Sequence, residues 1–221
     1  MRHPYPEIVL KAGRERSLLR GHPWIFSGAL AAVSGEPEPG QIVCALSDDR
    51  RPLALGFYNG QSDISFRALT HHTGTVIDRA FWRRRLDSAG SLRHRIISPD
   101  TTACRLVNAE GDGLPGLVVD RYGETLVVSV NTAGMERHRH DIFAVLAEVF
   151  HPDCLYERSE GQARRMEGLA DRSGVVLGGT APAVIEIREN GLRFHVDCVS
   201  GQKTGFFLDQ RESRMLIGTL S

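Results

Sequence analysis

The sequence predicts an α+β protein in which a small N-terminal β-barrel precedes a second, mixed domain. Residues 7–69 contain short apolar runs separated by turn residues, and Asn59-Gly60 between two of these runs is a hairpin signal. Several strands within about 65 residues indicate a small barrel. Residues 76–94 and 134–150 instead carry apolar side chains at helical spacing and alternate with further strand-like runs.

In the N-terminal part we predict four strands, at 7–11, 41–46, 52–58 and 63–69. A short helical piece is expected at 14–20, a polar linker at 70–75 and a helix at 76–94. In the second part we predict strands at 104–108, 116–121, 125–131 and 154–157, a helix at 134–150 and a helical turn at 162–169. A hairpin pairing 183–188 with 192–196 and a helix from Asp209 complete the prediction.

The charge of the 221-residue chain is balanced overall but divided unevenly along its length. Lysine plus arginine and aspartate plus glutamate number 27 each. Residues 1–95 hold 14 cations against 9 acids, whereas residues 96–221 hold 13 against 18. This asymmetry predicts a polyanion contact confined to the N-terminal half.

Hydropathy and cysteine spacing favour a soluble, cytoplasmic protein without a membrane segment. No apolar run approaches the roughly 18–20 residues needed to cross a bilayer, and no signal peptide is visible. The four cysteines lack the spacing of a zinc site or a redox dithiol, so we expect small buried hydrophobes and no metal. The four are Cys44, Cys104, Cys154 and Cys198.

The first candidate binding segment is residues 14–28, and Lys11 lies just before it. Guanidinium groups bind phosphate, and His22 or Trp24 could stack on a splayed base. The alternative is that Trp24, Ile25 and Phe26 belong to the barrel core while the arginines are solvated. The predicted RNA-binding residues are Lys11, Arg14, Arg16, Arg20, His22 and Trp24.

The second candidate segment is residues 201–211, GQKTGFFLDQR. Its two glycines allow a ligand to approach the backbone, while its side chains supply a cation, a hydroxyl, two aromatic rings and an amide. The alternative is a loop followed by a helix capped by Asp209. The predicted ligand-binding residues are Lys203, Thr204, Gly205, Phe206, Phe207 and Gln210.

Three stretches together resemble the PUA domain-containing RNA (cytosine-5)-methyltransferases of the ribosomal RNA large subunit methyltransferase I type. They are residues 21–28 (GHPWIFSG), 105–120 (RLVNAEGDGLPGLVVD) and 201–211, in that order. The resemblance implies an RNA-binding PUA barrel over 1–72 and a central α/β-sandwich domain of β-β-α-β-β order over 76–198. It also implies that 199–221 begins a Rossmann-like methyltransferase domain and lies beside its S-adenosyl-L-methionine site.

The sequence departs from the family because it stops where the Rossmann-like domain should begin. The glycine-rich cofactor loop, the Asp-Pro-Pro type motif and the catalytic cysteine have no counterpart, so we assign no catalytic residue. We therefore expect a truncated chain, the RNA-recognition part of an enzyme of rRNA processing that makes 5-methylcytosine in 23S rRNA, without activity or tight cofactor binding alone. The alternative is a stand-alone, non-catalytic RNA-binding protein. Ribosomal RNA is the expected partner, and a homodimer is left open.

Overall fold

The computed structural model describes residues 4–181 and 183–220, whose strands form a six-stranded, a five-stranded and a two-stranded sheet. The strands are β1 Glu7–Leu10, β2 Trp24–Ile25, β3 Leu30–Ser34, β4 Ile42–Leu46, β5 Pro52–Tyr58, β6 Phe66–Thr70, β7 Ala103–Asn108, β8 Leu117–Tyr122, β9 Thr125–Val130, β10 Cys154–Ser159, β11 Arg172–Leu177, β12 Ile185–Glu189 and β13 Leu192–Val196. The helices are α1 Arg16–Leu19, α2 Arg79–Ile96, α3 Ala133–Arg137, α4 Arg139–Phe150, α5 Gln162–Met166 and α6 Arg211–Leu220.

The first sheet has the order β2-β6-β5-β4-β1-β3, with β1 parallel to β4 and the other neighbours antiparallel. Its edge strands β2 and β3 are not paired with each other within the described residues, so the predicted barrel is a curled sheet rather than a closed ladder. The sequence prediction missed both edge strands. One has only two residues, and the other is mostly exposed, so neither carries a clear apolar pattern.

The centre of the first sheet is buried on both faces, and all five residues of β4 are therefore buried. Val43 and Ala45 belong to a core on one face, together with Leu18 of α1. Cys44 and Leu46 belong to a second core on the other face, which also contains residues of α2, α4 and the five-stranded sheet. The two sheets therefore share a hydrophobic core, and the domain boundaries drawn from the sequence stay predictions.

The expected hairpin turn at Asn59-Gly60 is wrong. β5 and β6 do pair in antiparallel fashion, but residues 59–65 connect them, and neither Asn59 nor Gly60 has the positive φ of a two-residue turn. The Asn59 side chain is buried instead and donates through Nδ2 to the backbone oxygen and Oε2 of Glu167, at 3.1 and 3.0 Å. A long-range contact therefore determines the position of Asn59.

The five-stranded sheet has the order β11-β10-β9-β8-β7, in which only the β9–β10 pair is parallel. Three strands precede the helical connection, and α5 and β11 follow β10, so the expected β-β-α-β-β order is wrong. The prediction lacked β11 because all of its residues except Gly174 are exposed, which leaves no alternating pattern to recognise.

The predicted helix 134–150 is two helices, α3 and α4, that meet at His138. The His138 ring stacks on Phe57 with centroids 5.9 Å apart and lies 5.1 Å from the Trp82 ring. Gly134 of α3 lies so close to β5 that a Cβ would stand 2.0 Å from the Phe57 ring. Only glycine lets the helix approach the first sheet this closely.

The hairpin predicted in the last third of the chain is confirmed. β12 and β13 pair across Asn190-Gly191, and both turn residues have positive φ, as a two-residue hairpin turn requires. Ile187 and Val196 of this hairpin pack on the face of the five-stranded sheet that contributes Tyr122 and Val127. The sheet is thus covered by α2 and α4 on one face and by the hairpin on the other.

Candidate functional site

The first candidate site is the cationic face, which we define as Arg14, Arg16, Arg20 and Lys11 around the short helix α1. The three arginines are exposed, and their guanidinium groups have no ion pair or hydrogen bond with the described residues. Lys11 is exposed but held in place, because its Nζ donates to the Gly28 oxygen at 2.8 Å. Three unpaired guanidinium groups on one short segment provide donors for an external anion.

A surface cavity of about 440 Å³ adjoins this face. Arg14, His22 and Trp24 line it together with the exposed ring of Phe26, so the fold brings these three predicted residues together. Arg16 and Arg20 lie outside the cavity lining. The cavity combines aromatic surface with a cation, which are the features that bind an unstacked base and its phosphate.

The three consecutive apolar residues of the segment have different environments. Ile25 is core, Trp24 is half-buried, and Phe26 is 52% exposed, so the alternative reading of all three as core is wrong for Phe26. Trp24 Nε1 donates to Glu110 Oε1 at 2.9 Å, and the Arg67 guanidinium lies 5.3 Å from its ring centroid. These two contacts fix the indole at the junction between the two sheets.

His22 is exposed and is oriented by its neighbour. Its Nδ1 accepts a hydrogen bond from the backbone N–H of Trp24 at 3.1 Å, and the two rings meet edge to face with centroids 5.7 Å apart. The remaining ring nitrogen has no partner among the described residues and is available to a ligand.

The sequence prediction missed Arg67 and Glu110, which support Trp24. Arg67 Nη1 lies 3.3 Å from Glu110 Oε1, and Arg67 Nη2 lies 2.9 Å from Glu167 Oε1. Glu110 and Glu167 lie 43 and 100 positions from Arg67 along the chain. No local pattern signals pairs at such separations.

In the second candidate segment, Thr204 is directed into the protein. Its Oγ1 donates to Asp120 Oδ2 and lies 3.0 Å from the Tyr122 hydroxyl. Asp120 is fully buried and also accepts from Arg105 Nε at 2.8 Å and Nη2 at 3.0 Å. Burial raises the pKa of Tyr122, while its hydrogen bond with Thr204 acts in the opposite direction. The hydroxyl thus anchors the segment to β8.

Two other predicted residues also have internal partners. The Phe206 ring packs on Phe194 with centroids 5.2 Å apart and faces the Arg214 guanidinium at 4.4 Å. Gly205 has φ of +130°, and a Cβ there would lie 2.8 Å from the Asp197 oxygen. Both residues fix the shape of the loop.

Lys203, Phe207 and Gln210 are the members of the predicted set that are exposed. Lys203 Nζ lies 3.1 Å from Asp209 Oδ2 and 4.5 Å from the centroid of the Phe207 ring. The hydrogen bond from Lys203 lowers the pKa of Asp209. The segment therefore presents a cation, a ring and an amide to its surroundings, while Thr204 faces inward and Phe206 is half-buried.

The prediction of buried cysteines is confirmed for three of the four, since Cys44, Cys154 and Cys198 are at most 4% exposed, while Cys104 is half-buried. Burial raises the pKa of all four thiols, to about 11 for Cys44 and about 12 for Cys198. Thiols with raised pKa values are poor nucleophiles.

The described residues form neither a cluster of metal-ligating side chains nor a membrane-spanning helix. No group of three or more His, Cys, Asp and Glu side chains there could hold a metal ion. None of the helices in that part of the chain has the length and apolar character to span a bilayer.

Comparison with known proteins identifies the N-terminal unit and a set of relatives. Residues 8–71 match the family model described as a PUA-like domain. The chain is 41% identical over 213 residues to a protein from Tolumonas auensis and 43% identical over 209 residues to one from Vibrio vulnificus. Both relatives are named ribosomal RNA large subunit methyltransferase I.

These alignments cover 96% and 94% of this chain, but only 54% and 52% of the two relatives. The chain thus spans about half the length of the curated relatives it matches. The matches extend well beyond the PUA-like domain and give no support to the expectation that a Rossmann-like domain is missing, which stays a prediction.

Two solved structures share the fold. One is a proposed SAM-dependent methyltransferase from Streptococcus mutans, and the other is a proposed methyltransferase complexed with SAH. Each superposes with a TM-score of 0.78 at 24% identity, over 94% of this chain and 52% of the other. The fold of nearly the whole chain is therefore shared with both solved structures.

Proposed function

We propose that this chain is the RNA-recognition part of an S-adenosylmethionine-dependent rRNA methyltransferase that makes 5-methylcytosine in 23S rRNA in the cytoplasm. The observation that carries the proposal is the cationic face with its adjoining cavity on the PUA-like unit. Arg14 lines this cavity with the exposed Phe26 ring and the His22 imidazole, and Arg16 and Arg20, which like Arg14 have no ion pair within the described residues, lie on the same short segment. The names of the relatives support methyl transfer to large-subunit ribosomal RNA, and the choice of carbon 5 of cytosine rests on the sequence resemblance.

In this proposal the cationic face binds the RNA backbone and the cavity receives one unstacked nucleotide. Guanidinium groups pair with phosphate oxygens without reading sequence, which positions the RNA. Phe26 and His22 offer ring faces to a base, and Trp24 forms the fixed wall behind them, held by Glu110. The recognised RNA is structured, with a single-stranded loop, since a loop exposes both its phosphates and its bases.

We further propose that the chain alone transfers no methyl group. Methylation at carbon 5 of cytosine requires a thiolate that adds to carbon 6 of the base. Removal of the four thiols from solvent opposes thiolate formation. The effect is clearest for Cys44 and Cys198, whose pKa values are raised to about 11 and about 12. None of the four is therefore assigned the nucleophilic role.

The 201–211 segment fits one edge of an S-adenosylmethionine site. Lys203, Phe207 and Gln210 could contact the cofactor, which supplies the methyl group when bound, whereas Thr204 and Phe206 are engaged with internal partners. Three exposed side chains bury too little ligand surface for tight binding. Calorimetric titration of the chain with S-adenosylmethionine should give no micromolar binding, and such binding would contradict this proposal.

The test of RNA recognition compares the wild type with a variant carrying Arg14→Ala, Arg16→Ala and Arg20→Ala. The matched control is Arg188→Ala with Arg193→Ala, which removes exposed cations from the β12–β13 hairpin. Fluorescence anisotropy with a hairpin from large-subunit rRNA should show weaker binding for the triple variant only. Its plot of log K against log salt should lose about 2 units of slope if three phosphate contacts disappear. Unchanged affinity and slope would refute the proposal.

The second candidate is a stand-alone RNA-binding protein without a catalytic role. The raised pKa values of all four thiols favour it as much as the first candidate. Both candidates predict the same RNA binding, so the discriminating measurement is methyl transfer to rRNA by the natural gene product. Incorporation of methyl groups would exclude the stand-alone candidate, and its absence would exclude the first.

A further inference from the structure

Two cavities lie side by side between the C-terminal end of α2 and strand β7. Their volumes are about 870 and 310 Å³, and both are lined by Arg93, Ile96, Ile97 and Cys104. Because they share these four residues, they form one continuous groove, which we call the α2–β7 groove. The larger cavity extends to Phe150 and Arg121, and the smaller one extends to Lys203, Phe206 and Arg211.

The groove is cationic although it lies mostly within the acidic half of the chain. Its lining contains two carboxylates, Glu124 and Asp209. Three further carboxylates pair with lining arginines and lie outside the lining: Asp112 and Asp120, whose side chains are nearly buried, and the exposed Glu212. The lysine and arginine side chains of the lining are Arg93, Arg95, Arg105, Arg121, Lys203 and Arg211.

Several of these guanidinium groups keep donors free for a ligand. Arg105, Arg121 and Arg211 each bind their protein partners through Nε and Nη2, so that Nη1 has no acceptor among the described residues. Arg95 is exposed and forms no ion pair within the same part of the chain. The arginines converge around Cys104, which lines both cavities together with Arg93, while Arg121 lines the larger cavity and Arg211 the smaller one.

The floor of the groove is apolar. Ile96 is 61% exposed there, and Phe150 and Phe206 contribute ring surface at its two ends. An inorganic anion gains nothing from contact with apolar surface, and a nucleic-acid duplex presents only phosphates and the edges of its bases in the grooves. A single nucleic-acid strand has both charged phosphates and exposed base faces, which matches cations along an apolar floor.

We propose that the α2–β7 groove binds a single-stranded segment of RNA, with phosphates toward Arg95, Arg121 and Arg211 and bases against Ile96 and Phe150. This inference rests on the proposed function, because it takes RNA as the ligand. It adds a binding surface outside the PUA-like unit and revises the expectation that polyanion contact is confined to the N-terminal half. An RNA held at both surfaces would contact the two sheets at once.

The experiment uses the full chain and a fluorescein-labelled, unstructured RNA of ten nucleotides. Arg95→Glu reverses the charge of a side chain that forms no ion pair with the described residues, so the substitution leaves no carboxylate without its cation. Arg84→Glu is the matched control, because Arg84 is an exposed arginine of the same helix that lies outside both cavities. At about 100 mM salt, Arg95→Glu should weaken binding at least fivefold, and Arg84→Glu should weaken it less than twofold, because only Arg95 contacts the strand. Equal effects of the two substitutions would overturn the proposal.

A second variant separates the apolar floor from the charges. Ile96→Ser removes exposed apolar surface without altering charge, so it should weaken binding about threefold to tenfold while leaving the salt slope unchanged. Arg95→Glu should reduce that slope. Wild-type affinity for the ten-nucleotide RNA in Ile96→Ser would overturn the assignment of bases to the floor.

Further probes distinguish the failure of this proposal from failure of the proposed function. If the wild type binds the rRNA hairpin but not the ten-nucleotide RNA, the groove proposal falls and the function of the cationic face stands. If it binds neither RNA, both fall. Competition by a ten-residue polyglutamate peptide as effective as that by unlabelled RNA would identify an acidic peptide as the ligand and overturn the groove proposal alone.

Discussion

Arg67 Nη2 lies 2.9 Å from Glu167 Oε1, and this ion pair joins β6 of the first sheet to the turn that follows α5. Both side chains are largely removed from solvent, with 13% and 4% exposed. Glu167 also accepts from Asn59 Nδ2 and from the backbone N–H of Ala133. The pair thus connects the PUA-like unit, the start of α3 and the region of α5 in one polar network.

Removing Arg67 should destabilise the protein strongly. Arg67→Ala leaves the carboxylates of Glu110 and Glu167 without their cation, and breaking a buried pair in this way typically costs about 3–5 kcal/mol. The free energy of unfolding, measured by urea denaturation, should fall by this amount. Arg79→Ala is the control, because the Arg79–Glu148 pair is almost half exposed and should contribute less than about 1 kcal/mol. Equal losses would contradict a structural role for the network.

The stability conferred by Glu167 should depend on pH. Burial raises the pKa of its carboxyl, but the hydrogen bonds from Asn59 and Arg67 and the charge of Arg67 outweigh burial, so the net pKa is lowered. A lowered pKa in the folded state adds stability above the ordinary value of about 4.3, and this stability is lost as the pH falls through the folded value.

We therefore expect Glu167→Gln to be less stable than the wild type at pH 7 and to approach it in stability as the pH falls below about 4. Urea denaturation across this range provides the measurement. Glu148→Gln, at the exposed pair, should differ from the wild type by less than about 1 kcal/mol throughout. A deficit in Glu167→Gln that stayed constant down to pH 3 would disprove the coupling.

The inward position of Thr204 predicts that its hydroxyl matters for folding. Thr204→Val preserves shape but removes the donor to Asp120 and the partner of the Tyr122 hydroxyl, which should cost about 1–3 kcal/mol. Thr204→Ser keeps the hydroxyl and should cost less than about 1 kcal/mol, the value of one buried methyl group. Thermal or urea unfolding of the two variants gives the comparison. Wild-type stability in Thr204→Val would instead indicate a solvent-facing hydroxyl.

Local patterns allowed much of the fold to be predicted. β5 and the β12–β13 hairpin were found because a short apolar run and the Asn190-Gly191 turn are signals within a few residues. Asn59-Gly60 is the same dipeptide as Asn190-Gly191 and misled the prediction, since the buried amide of Asn59 binds Glu167 instead of forming a tight turn. The exposed strands β3 and β11 were missed because exposed side chains carry no burial pattern.

The sequence by itself determined the α+β class, the segment that carries the unpaired arginines and the segment at 201–211, since composition and short motifs define all three. Tertiary structure decided which side chains are available for binding. It turned Thr204 inward to Asp120, fixed Trp24 through Glu110 and brought Arg95 of the basic half to one groove with Arg121 and Arg211 of the acidic half. These outcomes depend on contacts between residues far apart in the chain. Burial and ion pairing, rather than local propensity, determine the free energy of folding at such contacts.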